Sequence, residues 1–142
     1  MFWINWESNF NMKGPFFLIL ALIFLNTPVL FGQEVQELAP AAFSAKIKAN
    51  PKCIVVDVRS PDEFKSGSID RAINIDVNGT AFDASVKTLD KNKTILVYCL
   101  AGVRSKKAAT ILQGKGYKVY SLEGGIKAWS AQGLPVVKQS SK

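Results

Sequence analysis

Two patterns of apolar and polar residues alternate along the chain, one typical of buried strands and one typical of helices. Short runs rich in Val, Ile and Leu are typical of buried strands, and they lie at Cys53–Val58, Ala72–Asp76, Thr94–Cys99 and Lys118–Leu122. Segments with helical spacing separate them, at Pro40–Asn50, Ser60–Gly67, Thr80–Leu89, Val103–Gln113 and Gly124–Gly133. This alternation, with short connections, predicts an α/β fold with a parallel sheet and helices on both faces.

In such sheets, reactive groups lie beyond the carboxyl ends of the strands. Asp57 and Cys99 both stand at the end of a predicted strand. The helix that follows Asp57 has clear start signals, because Ser60, Pro61 and Glu63 match an N-cap, a first helical position and the glutamate of a capping box. The chemistry is therefore expected near the loops after these two strands.

The stretch YCLAGVRS, residues 98–105, combines a thiol with features that bind an anion. The chain contains no histidine, which excludes a Ser-His-Asp or Cys-His mechanism. A free cysteine has a pKa of about 8.5 and attacks only as thiolate. Backbone amides at the start of the helix near Val103, together with the guanidinium of Arg104, are expected to lower the pKa of Cys99 and to hold an anionic group on its sulfur.

The groups predicted to bind substrate in this loop follow Cys99 directly, and they are Leu100, Ala101, Gly102, Val103, Arg104 and Ser105. A plainer interpretation of the same residues stays open. Cys99 could be a small core residue, Gly102 a turn, and Arg104 a surface ion pair. Cys53, in an apolar run, is interpreted as such a core cysteine.

Three blocks in order, DVRSPDEFKSGSIDRAINI, VYCLAGVRS and LEGGIKAW, resemble the rhodanese family of sulfurtransferases over residues 37–137. The resemblance implies a rhodanese-like, five-stranded parallel sheet flanked by helices on both faces. It identifies Cys99 as the nucleophile, Cys99–Arg104 as the active-site loop, and Asp57 and Arg59 as further candidates for substrate contact.

The resemblance also implies a reaction. Cys99 would take a sulfane sulfur from a small anionic donor such as thiosulfate, carry it as a persulfide, and pass it to a thiol or cyanide in a ping-pong cycle. No metal and no cofactor is implied. A redox or sulfur-carrier protein is a further expected partner.

Other functions are weighed against this one. A carrier or binding module of the same fold would exchange sulfur with a partner and turn over little by itself. Related phosphatases and arsenate reductases use a loop one residue longer than Cys99–Arg104. Leu100 and Ala101 are uncharged where some thiosulfate-preferring members carry a cation, which leaves the donor open. Asp57 could instead cap the loop after its strand, and Arg59 could pair with Glu63.

Residues 1–32 are predicted to be a leader outside the fold. Translation is expected to start at Met12, and the apolar run Pro15–Leu25 has eleven residues, whereas a membrane-spanning helix needs about 20. Cleavage is predicted near Gly32, which would give an exported and periplasmic protein. An uncleaved, membrane-anchored form is the alternative. The sulfurtransferase domain is then expected at 33–138, followed by a frayed tail at 139–142.

The formal charge of +7 comes mostly from scattered lysines. Without aromatic interleaving, this pattern indicates a solvated basic surface and no nucleic-acid partner. The two cysteines are predicted not to pair, because they stand at opposite ends of parallel strands, beyond the Cα separation of about 7 Å that a disulfide tolerates. Trp129 is expected in the core.

Overall fold

The structure, a computed structural model, describes residues 34–138. The strands are β1 Gln36–Leu38, β2 Ile54–Asp57, β3 Ile73–Asn74, β4 Ile95–Tyr98 and β5 Val119–Leu122. The helices are α1 Pro40–Ala49, α2 Pro61–Ser66, α3 Phe82–Lys87, α4 Val103–Gly114 and α5 Gly125–Ala131. The strands form one sheet in the order β1-β5-β4-β2-β3, and all its pairs are parallel. The predicted leader and tail lie outside the described residues.

Helices cover both faces of the sheet, as predicted. On one face, Val56 and Val97 pack with residues of α3 and α4, among them Leu112. On the other face, Val55 and Leu96 pack with residues of α1 and α5. Within β2 and within β4, successive residues thus pack in the cores on opposite faces of the sheet, because successive side chains of a strand point to opposite faces. Two-sided burial explains why these strands are continuous apolar runs.

The expected cap of α2 is present. The Ser60 hydroxyl accepts a hydrogen bond from the Glu63 amide at 3.3 Å, and the Glu63 carboxylate accepts one from the Ser60 amide at 3.1 Å. Pro61 occupies the first turn. The capping box fixes the direction of α2 as it leaves β2, and it holds the Glu63 carboxylate beside the end of the sheet.

Two other sequence predictions are confirmed, the unpaired cysteines and the burial of Trp129. Cys53 and Cys99 are both free thiols. Trp129 is buried, and its indole N–H donates to the Pro135 carbonyl at 2.9 Å. None of the helices within residues 34–138 has the length and apolar character needed to cross a membrane.

Candidate active site

Cys99 is the first residue after β4, and it is only 1% exposed. Its sulfur accepts a hydrogen bond from the Gly102 amide at 3.1 Å. Gly102 has φ +105°, a left-handed conformation that a residue with a Cβ resists. The chain therefore turns back over the sulfur within three residues and continues directly into α4.

The amino end of α5 holds the other side of this loop. The carbonyls of Cys99 and Leu100 accept hydrogen bonds from the amides of Ile126 at 2.8 Å and Lys127 at 3.1 Å. Because these carbonyls point toward α5, amides of the loop are left to face the sulfur. Gly125 permits the close approach, since a Cβ at this position would lie 2.5 Å from the Cys99 oxygen.

A buried pair of serines lies behind the nucleophile. The Ser105 hydroxyl donates a hydrogen bond to the Gly102 carbonyl oxygen at 3.0 Å, and the Ser121 hydroxyl donates to the Ser105 oxygen at 3.0 Å. Both serines are fully buried. Ser105 has a single hydroxyl hydrogen, which the Gly102 carbonyl accepts here, so donation from this hydroxyl to the Cys99 thiolate replaces that bond.

These contacts set the pKa of the thiol. Burial acts to raise the pKa of Cys99, but hydrogen bonds from the hydroxyl and amide of Ser105 and from the amides of Gly102 and Ala101 outweigh it, so the pKa is lowered. Hydrogen bonds to the charged form stabilise the thiolate. The loop therefore favours the nucleophilic state of the sulfur without a histidine.

Arg104 points its guanidinium at Glu63. Nη1 donates to Oε2 and Nη2 to Oε1, each at 2.8 Å, in a two-point ion pair between α4 and α2. These hydrogen bonds from Arg104 lower the pKa of Glu63 to about 2. The guanidinium also lies within electrostatic reach of Cys99, although hydrogen bonds from Ser105, followed by those from the loop amides, are the main influences that lower the pKa of the thiol.

Asp57 and Arg59 form a buried ion pair under the site. The Arg59 guanidinium donates to the Asp57 carboxylate at 2.6 Å and to the Gly67 carbonyl at 2.6 Å. Asp57 is fully buried, and Arg59 is 4% exposed. The Asp57 carboxylate also accepts a hydrogen bond from the Arg59 amide at 2.9 Å. Asp57 therefore caps the loop after its strand, as the plainer interpretation of the sequence expected. The alternative in which Arg59 pairs with Glu63 is wrong, because Arg59 forms its salt bridge with Asp57 and Glu63 forms its salt bridge with Arg104.

The rhodanese-like domain family matches residues 39–132. The chain belongs to this family. A sulfurtransferase of Allochromatium vinosum is 31% identical to it over 104 residues, which cover 72% of this chain and 95% of that protein. A tRNA uridine(34) hydroxylase of Cytophaga hutchinsonii is 39% identical over 95 residues, 64% of this chain but 30% of that longer protein.

A solved structure gives the same fold. The crystal structure of a rhodanese-related protein from Thermoplasma volcanium superposes with a TM-score of 0.66 at 34% identity, and covers 73% of this chain and 99% of that one. The five-stranded parallel sheet of the rhodanese fold is therefore established for this chain, and its relatives include sulfurtransferases.

The rhodanese domain brings most of the predicted site residues together. Ala101, Gly102 and Ser105 donate hydrogen bonds to the sulfur of Cys99, and Leu100, Val103 and Arg104 belong to the same turn. Asp57 and Arg59 form a separate, buried pair. Direct contact of these last two with substrate stays a prediction, and their burial favours a supporting role. Within residues 34–138 no group of three or more Cys, Asp and Glu side chains is placed to hold a metal ion.

Sequence reasoning missed three contributions to the rhodanese site. Glu63 was predicted to cap its helix, with Arg59 as a possible ion-pair partner, yet its carboxylate binds Arg104. Ser121 was interpreted only as a strand residue. Gly125 belonged to a block that resembled the family, but its steric role needed the backbone of α5 against the loop. A serine inside the otherwise apolar run Val119–Leu122 was the signal that could have identified Ser121.

Proposed function

We propose that this rhodanese domain is a sulfurtransferase in which Cys99 carries a sulfane sulfur as a persulfide. The observation that carries the proposal is the hydrogen-bond environment of Cys99, whose sulfur accepts the Gly102 amide and whose pKa the loop and Ser105 lower. An attacking thiolate and a terminal persulfide are both anions. The same donors suit both states, so they support the two halves of the transfer.

The first half-reaction balances without an outside oxidant. With thiosulfate, the Cys99 thiolate attacks the sulfane sulfur, a new S–S bond forms at Cys99, and the S–S bond of the donor breaks so that sulfite leaves with the electron pair. In the second half, cyanide or a thiolate attacks the outer sulfur of the persulfide and the Cys99 thiolate leaves. Thiosulfate as donor and cyanide or a thiol as acceptor are part of the proposal.

Intact-mass measurement tests this function. The protein is incubated with thiosulfate or with an alkyl persulfide, weighed, then treated with cyanide and assayed for thiocyanate. We expect a gain of one sulfur atom that cyanide removes. Cys99→Ala should abolish the gain, and Cys53→Ala, the matched control at the second thiol, should keep it. Loading of Cys99→Ala equal to that of the original protein would contradict the proposal.

A carrier role is distinguished by the same measurement. A protein that gains sulfur only from a protein persulfide, and forms thiocyanate at a negligible rate with small donors, would act as a sulfur carrier and not as an independent enzyme. Leu100 and Ala101 supply no cation for a small anionic donor such as thiosulfate, and this supports the carrier role as the second candidate function.

We infer further that the domain acts outside the cytoplasm. This inference is supported by the short apolar run Pro15–Leu25, which follows Met12 and Lys13. A short basic segment followed by such a run is typical of a secretory leader. Amino-terminal sequencing of the protein recovered from the periplasm tests this, and we expect it to begin near Gln33. Retention of the apolar run in the recovered protein would contradict cleavage.

A further inference from the structure

The Arg104 guanidinium is occupied in this structure. Glu63 accepts two parallel hydrogen bonds from it, and the two side chains are 29% and 31% exposed. Arginine–carboxylate pairs with this geometry are the stronger kind of ion pair, and they use the same forked donors that an oxyanion would need. An oxyanion at the site therefore meets a guanidinium whose charge Glu63 balances and whose Nη1 and Nη2 each already donate one hydrogen bond to that carboxylate.

Glu63 is held in place by more than Arg104. Its Oε2 also accepts hydrogen bonds from the amide and the hydroxyl of Ser60, both at 3.1 Å. The carboxylate is thus anchored to the first turn of α2 before it meets the guanidinium. With the pKa of Glu63 lowered to about 2 by Arg104, it remains an anion throughout the physiological pH range.

The other side chains of the loop carry no positive charge. Leu100, Ala101 and Val103 are uncharged, and Val103 is 80% exposed. In the next turn of α4, Lys106 is paired with Glu37 at 3.2 Å. The part of the loop beside the sulfur therefore presents apolar side chains and a neutralised arginine to an incoming donor.

We propose that Glu63 is a positioning residue that sets donor preference: by occupying Arg104, it disfavours donors with an oxyanion leaving group, such as thiosulfate, relative to persulfides whose leaving group is a thiol. This rests on the sulfurtransferase function proposed above. With a persulfide, the Cys99 thiolate attacks the outer sulfur, the donor S–S bond breaks, and the departing thiolate takes up the persulfide proton. No oxyanion has to be held in that reaction.

Glu63→Gln tests the proposal. Glutamine keeps an amide oxygen for the Ser60 amide, so the helix cap survives, while the negative charge on Arg104 is removed. We expect the ratio of kcat/KM for thiosulfate to kcat/KM for an alkyl persulfide to rise about tenfold, which is the size of effect typical of one close charge contact. The gain should appear mainly as a lower KM for thiosulfate.

Glu37→Gln is the matched control. It makes the same change in net charge, but it removes only the surface ion pair with Lys106. The ratio of kcat/KM for thiosulfate to kcat/KM for the alkyl persulfide should therefore stay at its original value. An unchanged or lower ratio in Glu63→Gln would overturn the proposal, because Glu63 would then hold Arg104 in a productive position. Ratios that rise equally in both variants would also overturn it, since net charge would be the cause.

The outcomes separate this proposal from the one on which it rests. If the original protein loads sulfur from the persulfide and the ratio does not rise in Glu63→Gln, only the role of Glu63 fails. If neither donor loads Cys99 in either protein, the sulfurtransferase function fails, and the donor preference fails with it. Thermal unfolding of both variants, expected to match the original protein, checks that the fold is intact.

Discussion

The reactivity of Cys99 depends on groups that reach its sulfur from two directions. The Gly102 amide approaches from the loop, and Ser105 approaches from the first turn of α4 with Ser121 behind it. A thiol that is 1% exposed loses hydration, and this loss penalises the thiolate. Hydrogen bonds to the sulfur must replace the missing water, so each donor contributes directly to the ionised fraction.

Ser105→Ala should raise the pKa of Cys99, because it removes the side-chain donor while burial still opposes ionisation. Because only the thiolate reacts, the alkylation rate rises with pH around the pKa of the Cys99 thiol. A higher pKa in Ser105→Ala therefore moves the midpoint of the rate–pH profile to higher pH. Below that midpoint, alkylation by iodoacetamide should slow about tenfold, since a hydrogen bond to a charged group contributes about 1.5–3 kcal/mol.

Alkylation rates measured over a range of pH check this result. Ser121→Ala should move the midpoint in the same direction by less, since it acts only through Ser105. Thr110→Ala is the matched control on α4, because its hydroxyl is exposed and bonds only the Lys106 carbonyl. A midpoint that stays in place in Ser105→Ala would show that the loop amides suffice.

At the scale of elements, α4 and α5 have different tasks at the site. The amino end of α4 brings the Ser105 donors to the sulfur, and the amino end of α5 binds carbonyls on the outside of the loop. Gly125, with φ +61° and the loop carbonyls against its α-carbon, lets α5 come this close. The shape of the loop is thus stabilised by a helix other than the one that supplies Ser105 to the sulfur.

Gly125→Ala should disturb the loop, because its Cβ would overlap the backbone of Cys99 and Leu100 at 2.5 Å. Displacement of catalytic groups by about 1 Å can cost about a hundredfold in rate, and we expect a loss of this order in sulfur loading of Cys99. Loading kinetics by mass spectrometry measure it. Gly114→Ala is the control, since a Cβ there has open space, and full activity of Gly125→Ala would contradict the steric role.

The sequence predicted elements well where burial imposed a pattern. β2 and β4 were recognised because both their faces are covered, and α2 because its capping box is local. β1 was not recognised from its own residues, since Gln36 and Glu37 are exposed on an edge strand and leave no apolar run. The loop Cys99–Arg104 was predicted from order and spacing, whereas the pairing of Arg104 with Glu63 depends on a contact between residues far apart in sequence.

At the scale of the whole molecule, the buried ion pair of Asp57 and Arg59 ties several elements together. Arg59 reaches the Gly67 carbonyl after α2, and the Asn74 side chain of β3 donates to the carbonyls of Asp57 and Arg59 at 3.0 and 2.8 Å. These contacts fix one end of the sheet just beneath the loop. The pair is therefore important to stability whether or not it meets substrate.

Asp57→Ala should destabilise the fold by about 3–5 kcal/mol, because the guanidinium of Arg59 would stay buried without its counter-ion. Urea unfolding followed by circular dichroism measures the loss. Asp62→Ala, at an exposed position of α2, should change stability by no more than about 0.5 kcal/mol. A small effect of Asp57→Ala, together with lost activity, would favour direct substrate contact instead.

The two thiols of the chain stand at opposite ends of neighbouring strands. Cys53 precedes β2, Cys99 follows β4, and Ile54 is in register with Ile95. Cys53 is therefore level with Thr94, and the rise from there to Cys99 separates the two cysteines by about 16 Å along the strand. Under the proposed function, sulfur carried by Cys99 therefore meets no resolving cysteine of its own chain. Its discharge is necessarily bimolecular, and the lifetime of the loaded protein is governed by how often an outside acceptor reaches the loop.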